Sequence, residues 1–451
     1  MELEAYLSGL QGKRVVVIGV GVSNRPLINL LLSHGVQVTA CDKKSDLGAY
    51  GDELCQRGCQ LQLGSDYLRN LNQDLIFRTP GIRPDLPEFQ GARLTSEMEV
   101  FFEVCPCPKI AVTGSDGKTT TTTIIAKLLE AAGKRVHLGG NIGHPLLSET
   151  PDMRPEDVAV LELSSFQLMT MKQSPEIAVV TNISPNHLDV HKDYAEYIAA
   201  KENIFTHQDT GNLAVFNADN DVTFEEAGRA PGRVRLFSRQ REVLEGVFLR
   251  GADIVSRRNG QERVVMSVSD IRLPGVHNVE NYMAAVSAVD GMVPDDVIRD
   301  FAREFAGVEH RIELVRTRNG VRWYNDSIAS SPSRTIAGLR SFPEKVILIA
   351  GGKDKGISYE ALGSVVNDHV KYLILCGATA GVIRESVRQA ANYAGLPMVE
   401  VDDYPSAVRT ADSIAKAGDV VILSPASTSF DRFANFMERG NVFKELVRAL
   451  P

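Results

Sequence analysis

No stretch of about 18 consecutive apolar residues occurs in the chain, so a helix that spans a membrane is not expected. The opening residues, MELEAYLSGLQGKR, also lack the basic start and apolar core of an export signal, and a cytoplasmic protein is the expectation. Cysteine is scarce: six of 451 residues (Cys41, Cys55, Cys59, Cys105, Cys107 and Cys376) form no disulfide framework. Neither Cys105-Pro-Cys107 nor the Cys55/Cys59 pair has the C-x-x-C spacing of a zinc site, and no histidine is near either one. A basic excess is missing as well, since 49 Lys and Arg face 57 Asp and Glu. Bulk attraction to nucleic acid or an anionic membrane is therefore excluded, while local phosphate pockets stay open. Repeats of fixed period and low-complexity segments are absent too. What is present, 43% hydrophobic and 24% charged residues, suits a globular protein too long for one core, and three domains are expected.

The organising stretch is Val112 to Thr123, VTGSDGKTTTTT. An apolar strand (Lys109 to Thr113) runs into a helix (Thr119 to Ala132) whose Ile124, Ile125, Leu128 and Leu129 recur at helical spacing. Gly114 and Gly117 let backbone approach an anion, and the helix start directs unpaired N–H groups at it. Ser115 and Asp116 lie between them, Lys118 is placed for the outer phosphates, and Thr119 or Thr120 for a Mg²⁺ ion. The full P-loop pattern is not met, because its first glycine falls on Val112. Nucleotide triphosphate binding is the expectation.

Arg14 to Ile18, then GVGVSN, a helix through Leu27 to Leu32, and a strand from Val36 to Cys41 ending at Asp42 form a Rossmann-like opening. The third position of G-x-G-x-x-G is Asn24, which weakens a dinucleotide reading, and with it an NAD oxidoreductase. Asp74 to Arg78 and the TPGI turn (Thr79 to Ile82) close residues 1–95. Strands at Val158 to Glu162, Ile177 to Asn182 and Leu213 to Asn217 make residues 96–306 a doubly wound α/β domain. Within it, Val243 to Ser269 reads as a small antiparallel addition with turns at Arg250-Gly251 and Asn259-Gly260. Residues 307–451 read as a third, Rossmann-like α/β domain with strands at Arg322 to Asn325, Val346 to Ala350, Tyr372 to Cys376 and Val420 to Leu423, and helices at Ala380 to Ala394 and Phe433 to Val447.

Glu162 ends a strand beside the phosphate stretch, where a carboxylate serves a second metal ion. His187 and Asp189 follow another strand end. Lys201 falls on a helix, where a solvated lysine is the default. Asn278, Asn281, His310-Arg311 and Asp326 are polar groups at element ends, suited to adenine, phosphate and ribose.

TGSDGKTT, ELSSFQL, TNISPNHLDVH, LPGVHNVENYMAA, EHR, YNDS and SPASTSFDRFANFMERGNVF, in this order over the whole chain, resemble the Mur ligases of bacterial cell-wall synthesis. TPGI, ELSSFQL and the SPAxxSFDxF segment look like the member that adds D-glutamate. The resemblance implies an ATP-dependent amide ligase acting on UDP-N-acetylmuramoyl-L-alanine and D-glutamate through an acyl phosphate, with two Mg²⁺ ions, and a monomer is expected. By the same resemblance, Lys118, His187 and Lys201 are catalytic, with Lys201 carbamylated. Thr119, Glu162, His187 and Lys201 serve metal. Asn278, Asn281, Arg311 and Asp326 join the 114–120 loop around ATP. Val22, Ser23, Asp42, Thr79, Gly81, Asn141, Ser164 and Gln167 meet the UDP-sugar, while Lys355, Ser429, Phe430 and Phe436 meet D-glutamate. Members often carry a lysine and a threonine after NDS, where this chain has Ile328, Ala329, Ser330 and Ser331, and Arg334 is the candidate for the missing cation. Another Mur-type or folylpolyglutamate-type ligase, or a nucleotide-binding regulator, is the alternative.

Overall fold

The computed structural model describes residues 1–71, 73–187, 190–354 and 356–451, and three sheets carry the chain. In the first, β1 (Arg14–Ile18), β2 (Gln37–Asp42), β3 (Gln60–Leu63), β4 (Leu75–Arg78) and β5 (Leu94–Thr95) are all parallel in the order β3-β2-β1-β4-β5. This is the Rossmann order, and the reversal between β1 and β4 opens a crevice at their carboxyl ends. The loops after those two strands touch: a Cβ on Gly19 (φ +87°) would stand 2.9 Å from the Thr79 methyl group. Asn24, where a third glycine was sought, donates through Nδ2 to the carbonyls of Ile18 (3.0 Å) and Gly19 (2.9 Å). The loop is thus held by an amide side chain rather than by close helix–strand packing at glycine.

The second sheet contains β6 (Lys109–Thr113), β7 (Val136–Gly140), β8 (Val158–Glu162), β9 (Ile177–Val180), β10 (Leu213–Asn217), β11 (Arg233–Ser238), β12 (Gly246–Arg250), β13 (Asp253–Arg258) and β14 (Gln261–Ser267). Its order is β14-β13-β12-β11-β10-β9-β6-β8-β7, parallel up to β12 and antiparallel across the last two pairs. The antiparallel addition is therefore a continuation of the same sheet through β12. Its second hairpin turns at Asn259 and Gly260, both with positive φ, as a two-residue turn between twisted strands requires. β6 lies between β8 and β9, so its carboxyl end is the reversal point of this sheet. The helix after it spans Lys118–Ala131 and buries Ile124, Ile125, Leu128 and Leu129.

These two sheets belong to one compact unit, Met1–Asp270 with Val279–Phe301. One apolar cluster runs through it from Val17 and Phe77 by way of Phe101 to Ala111, Leu161 and Phe216. Buried Arg78 adds a polar tie, donating to the carbonyls of Thr79, Pro80 and Ile82 in the TPGI turn and to Phe166 O and Thr170 Oγ1, each 3.3 Å away.

The other unit comprises Ile271–Asn278 and Ala302–Pro451. Its sheet is formed by β15 (Glu313–Arg318), β16 (Val321–Asn325), β17 (Val346–Ala350), β18 (Val370–Leu375), β19 (Met398–Glu400) and β20 (Val420–Leu423), in the order β15-β16-β20-β17-β18-β19. Only the β15–β16 pair is antiparallel. Alternate residues enter opposite cores: Tyr324, Leu348 and Leu373 one, Trp323, Ile347 and Ile374 the other. Helices thus cover both faces, as the buried apolar strands require. The helix expected over Ala380 to Ala394 ends at Gln389, and the last one spans Phe436–Arg448.

Replacing Asn24 by alanine leaves the buried Ile18 carbonyl and the half-buried Gly19 carbonyl without that donor. The expected cost is about 1–3 kcal/mol, read as a lower denaturant midpoint at unchanged slope. An unaltered midpoint would mean that the amide does not brace this loop.

Candidate active site

Two backbone positions in the phosphate loop admit only glycine. A Cβ on Gly114 (φ +153°) would lie 1.9 Å from Thr181 Oγ1, and one on Gly117 (φ +80°) 2.4 Å from Asn281 Oδ1. The residues between them are fastened to the end of β9. Ser115 N–H donates to Asn182 O (2.8 Å), Asp116 N–H donates to Asn182 Oδ1 (2.9 Å), and Thr181 Oγ1 donates to Asp116 O (2.6 Å). Ser115 Oγ donates to Ser184 O and lies 2.9 Å from Tyr197 OH. The five threonines that open the helix divide by role. Thr122 and Thr123 bond back to the carbonyls four residues earlier, and Thr121 donates to Asn281 Oδ1. Thr119 and Thr120, at the helix start, are the hydroxyls left for a ligand beside the first-turn N–H groups.

Lys118 folds over its own loop, with Nζ 2.8 Å from Gly114 O and 2.9 Å from Ser115 O. The same Gly114 carbonyl accepts from Lys201 Nζ, also at 2.8 Å, and Lys201 further contacts Thr113 Oγ1 at 3.3 Å. Lys201 is therefore not the solvated helix lysine that its position suggests: it is 2% exposed, with its amine 4.7 Å from the Tyr197 ring centroid one turn earlier. Burial first, and Lys118 second, push this amine well below the usual lysine range, against the pull of Glu162 and Asp116. Across the sheet, Glu162 is 2% exposed. Its Oε1 accepts from Asn141 Nδ2 at 2.7 Å, whereas its Oε2 is buried without a hydrogen-bond partner.

Ser164 and Gln167 form a reciprocal capping box on the short helix Ser165–Leu168. That helix presents Ser165 Oγ to His191 Nε2 at 2.9 Å and stacks Phe166 on the His191 ring. His187, in left-handed backbone (φ +54°), sets its ring edge-on to Phe166 at 5.1 Å, while Asp189 lies outside the described residues. In the first sheet's crevice, Val22, Ser23 and Gly81 are exposed and Thr79 half-buried. Asp42 accepts from the N–H groups of Val20 (2.7 Å) and Lys44 (2.9 Å), so this carboxylate shapes the loop after β1.

In the other unit, Asp326 is buried at the end of β16. Its Oδ2 accepts from Ser424 Oγ (2.8 Å) and its Oδ1 from Ile312 N–H (3.3 Å). Burial pushes its carboxyl up to about 7. Ser424 and the Ala426 N–H also meet Thr335 Oγ1, which fixes the helix Pro332–Leu339 against the loop after β20. Arg334 on that helix donates to the Ile328 carbonyl at 3.3 Å. Ser429 is buried, Phe430 is 63% exposed, and Phe436 meets the His310 ring edge-on. Lys355 lies outside the described residues. Asn278 Nδ2 donates to Pro274 O within this unit.

Residues 112–289 match the model of the Mur ligase middle domain, and residues 310–427 that of the Mur ligase glutamate ligase domain. Along all of its length the chain is 51% identical to a protein of Ruminiclostridium cellulolyticum named UDP-N-acetylmuramoylalanine–D-glutamate ligase, covering 99% of that relative. A protein of the same name in Acetivibrio thermocellus is 50% identical with the same coverage. The chain belongs to the Mur ligase family. The fold agrees with the crystal structure of a Thermotoga maritima UDP-N-acetylmuramate-alanine ligase, at a TM-score of 0.59 and 18% identity over 97% of this chain and 99% of that one.

Mur ligase middle-domain residues here offer an incomplete but suitable donor set for Mg²⁺. Among the described residues no three His, Cys, Asp or Glu side chains form a metal cluster by themselves. The orphaned Glu162 Oε2 and the hydroxyl of Thr119 are nevertheless hard oxygen donors of the kind Mg²⁺ takes, with phosphate oxygens and water as the remainder. Sequence reasoning passed over Tyr197, Thr181 and Asn182, which anchor the loop, and His191, which packs edge-on against Tyr197. Thr181 and Asn182 belong to the strand expected over Ile177 to Asn182, which stops at Val180, and a capping pattern at Asp193 would have placed Tyr197 and Lys201 on one helix face.

Asp326 supplies a pH test of the glutamate ligase domain. A carboxyl whose folded pKa is raised stabilises the fold least once it must ionise in place, so its contribution falls as pH rises from about 4 through about 7. Asp326→Asn is expected to gain stability over the parent by on the order of 2–3 kcal/mol more at pH 8 than at pH 5, read from denaturant midpoints. A difference that does not vary with pH would show that this acid is not buried.

Proposed function

We propose that the protein is an ATP-dependent amide ligase that joins D-glutamate to UDP-N-acetylmuramoyl-L-alanine in the cytoplasmic synthesis of peptidoglycan precursors. The full-length likeness to relatives that bear this ligase's name carries the reading. The phosphate loop with two lysine amines on one carbonyl supports its chemistry. We assign UDP-sugar binding to residues 1–95, ATP to 96–306 and the amino acid to 307–451.

In the first step a carboxylate oxygen of the acceptor attacks the γ-phosphorus of ATP, giving an acyl phosphate and ADP. In the second the D-glutamate amine attacks the acyl carbon, loses a proton and expels phosphate. Both steps bring anions together, so catalysis rests on positioning and charge. Lys118 and the first-turn N–H groups of residues 118–120 are proposed to cradle the phosphates, with Gly114, Ser115, Asp116 and Gly117 forming the turn around them. Thr119, Glu162, His187 and a carbamylated Lys201 are proposed to hold two Mg²⁺ ions, which when bound neutralise the facing oxygens. Lys201 suits carbamylation because its amine is buried and burial lowers its pKa, which eases loss of the proton that must leave before the amine can meet CO₂. Asn278, Asn281, Arg311 and Asp326 are proposed for the nucleotide, and Asn141, Ser164 and Gln167 for the muramoyl-alanine part. Val22, Ser23, Asp42, Thr79 and Gly81 are proposed for the uridine diphosphate. Lys355, Ser429, Phe430 and Phe436, with Arg334 in place of the family lysine, are proposed for D-glutamate.

ATP-dependent phosphate release is expected only with UDP-N-acetylmuramoyl-L-alanine and D-glutamate together, not with L-glutamate. Turnover with L-alanine on UDP-muramic acid, or with folate acceptors, would move the protein to a relative's reaction. ATP hydrolysis indifferent to every acceptor would make it a nucleotide-binding regulator. In the same assay Arg334→Ala should raise the KM for D-glutamate about tenfold, a loss of about 1.4 kcal/mol, and leave that for ATP alone.

Lys201→Ala should lower turnover by about 10²-fold or more, as loss of a group that stabilises transferring phosphate does. Acetate or formate at high concentration should restore part of it by supplying the missing carboxylate. A variant that keeps most of its activity, or stays inert in every carboxylate with its fold intact, would sink the carbamate.

A further inference from the structure

The Cys-Pro-Cys segment, unsuited to zinc, has a geometry of its own. It joins the helix Glu97–Val104 to β6, with Cys105 as the residue that caps the helix. The two sulfurs stand 3.5 Å apart, and Cys105 Sγ also lies 3.6 Å from the Cys107 carbonyl. Pro106 and Pro108 are exposed and Cys105 is half-buried, so this turn faces solvent, whereas Cys107 is buried beneath it. We propose that Cys105 and Cys107 form a reversible thiol–disulfide site, oxidised by small disulfides, at the root of the strand that carries the phosphate loop.

Three features make the pair selective. The Sγ–Sγ gap must shorten only to about 2.0 Å, within a three-residue turn that precedes the first residue of β6. The neighbouring Cys107 thiol, with Lys109 close by, holds the Cys105 thiol below its usual range while Cys107 moves up, so the half-buried, more accessible member is the nucleophile. The remaining buried thiols are poor competitors: burial pushes Cys41 up to about 12, and Cys59 and Cys376 to about 11. Cys55 is exposed but has no thiol partner among the described contacts.

The chemistry is a two-step exchange. The Cys105 thiolate attacks one sulfur of a disulfide RSSR, forming Cys105–S–S–R and releasing RS⁻. The Cys107 thiolate then attacks Cys105 Sγ, breaks the mixed disulfide and expels the second RS⁻. The two thiol protons end on two RSH, and the protein thiols are oxidised as RSSR is reduced.

The test uses the full-length protein with oxidised glutathione, quenched in denaturant containing N-ethylmaleimide and digested with trypsin. Both cysteines fall in one peptide, Leu94 to Lys109. That peptide is expected to become two hydrogens lighter, to lose both maleimide labels and to regain them after dithiothreitol. Cys107→Ser should stop at a glutathione adduct on Cys105, and Cys105→Ser should leave Cys107 unmodified. A peptide that keeps both labels while Cys55 is glutathionylated would overturn the proposal. So would a crosslink from Cys105 to any other cysteine, or a Cys107→Ser protein in which Cys105 does not react.

Discussion

The carbonyl of Gly114 accepts from two lysine amines, and much of the surrounding structure exists to make that arrangement tolerable. Two ammonium groups on one oxygen, one of them buried, would repel strongly in a medium of low dielectric. The chain eases this by burying Lys201, which together with Lys118 pushes its amine well below the usual lysine range, and by keeping Glu162 and Asp116 near enough to pull the other way. The loop is thus an electropositive turn at a helix start, balanced in part by Glu162 and Asp116.

That arrangement needs a backbone fixed to a few tenths of an ångström, and the means are steric as much as polar. Gly114 and Gly117 are pressed against Thr181 and Asn281, so neither tolerates a Cβ. The N–H groups of residues 115 and 116 and the Asp116 carbonyl are taken up by Thr181 and Asn182 at the end of the neighbouring strand, and the Ser115 carbonyl by Lys118. A loop tethered at each polar group pays its ordering entropy during folding, so little remains to be lost when a nucleotide binds.

The sequence made the frame legible wherever a short apolar strand ran into a glycine turn, as at Ile18–Gly19, Thr113–Gly114 and Ala350–Gly351. Strands β7 and β11 were not legible. In β7, VHLGG combines a histidine with two glycines at a sheet edge, and in β11 arginines alternate with apolar residues, so neither reads as a buried run. Candidate site residues on strand ends, such as Glu162 and Asp326, emerged from position alone. The burial of Lys201 did not, because a helix of low amphipathic contrast gives no sign of which lysine faces the core, and only the family resemblance singled it out. Asn24 was read as a failed glycine. Its amide instead supplies hydrogen bonds that a glycine cannot, and only coordinates reveal such an exchange of one loop-fixing device for another.

A second device for fixing loops recurs in both units. Arg78 holds the carbonyls of the TPGI turn, and Arg439 donates to Ser327 Oγ (3.0 Å), Ser427 O (3.0 Å) and Ser327 O (2.8 Å). Both guanidinium groups are buried, and burial lowers the pKa of each, yet a guanidinium remains charged inside a protein. Its planar fork can serve several carbonyl oxygens at once, where a lysine offers a single point of charge. The loops in question leave the carboxyl ends of strands and so have carbonyls with no partner in the sheet. A buried arginine collects these oxygens from beneath and leaves the upper side of each loop free of packing duties. The loops at the strand ends can therefore be rigid without being packed from above.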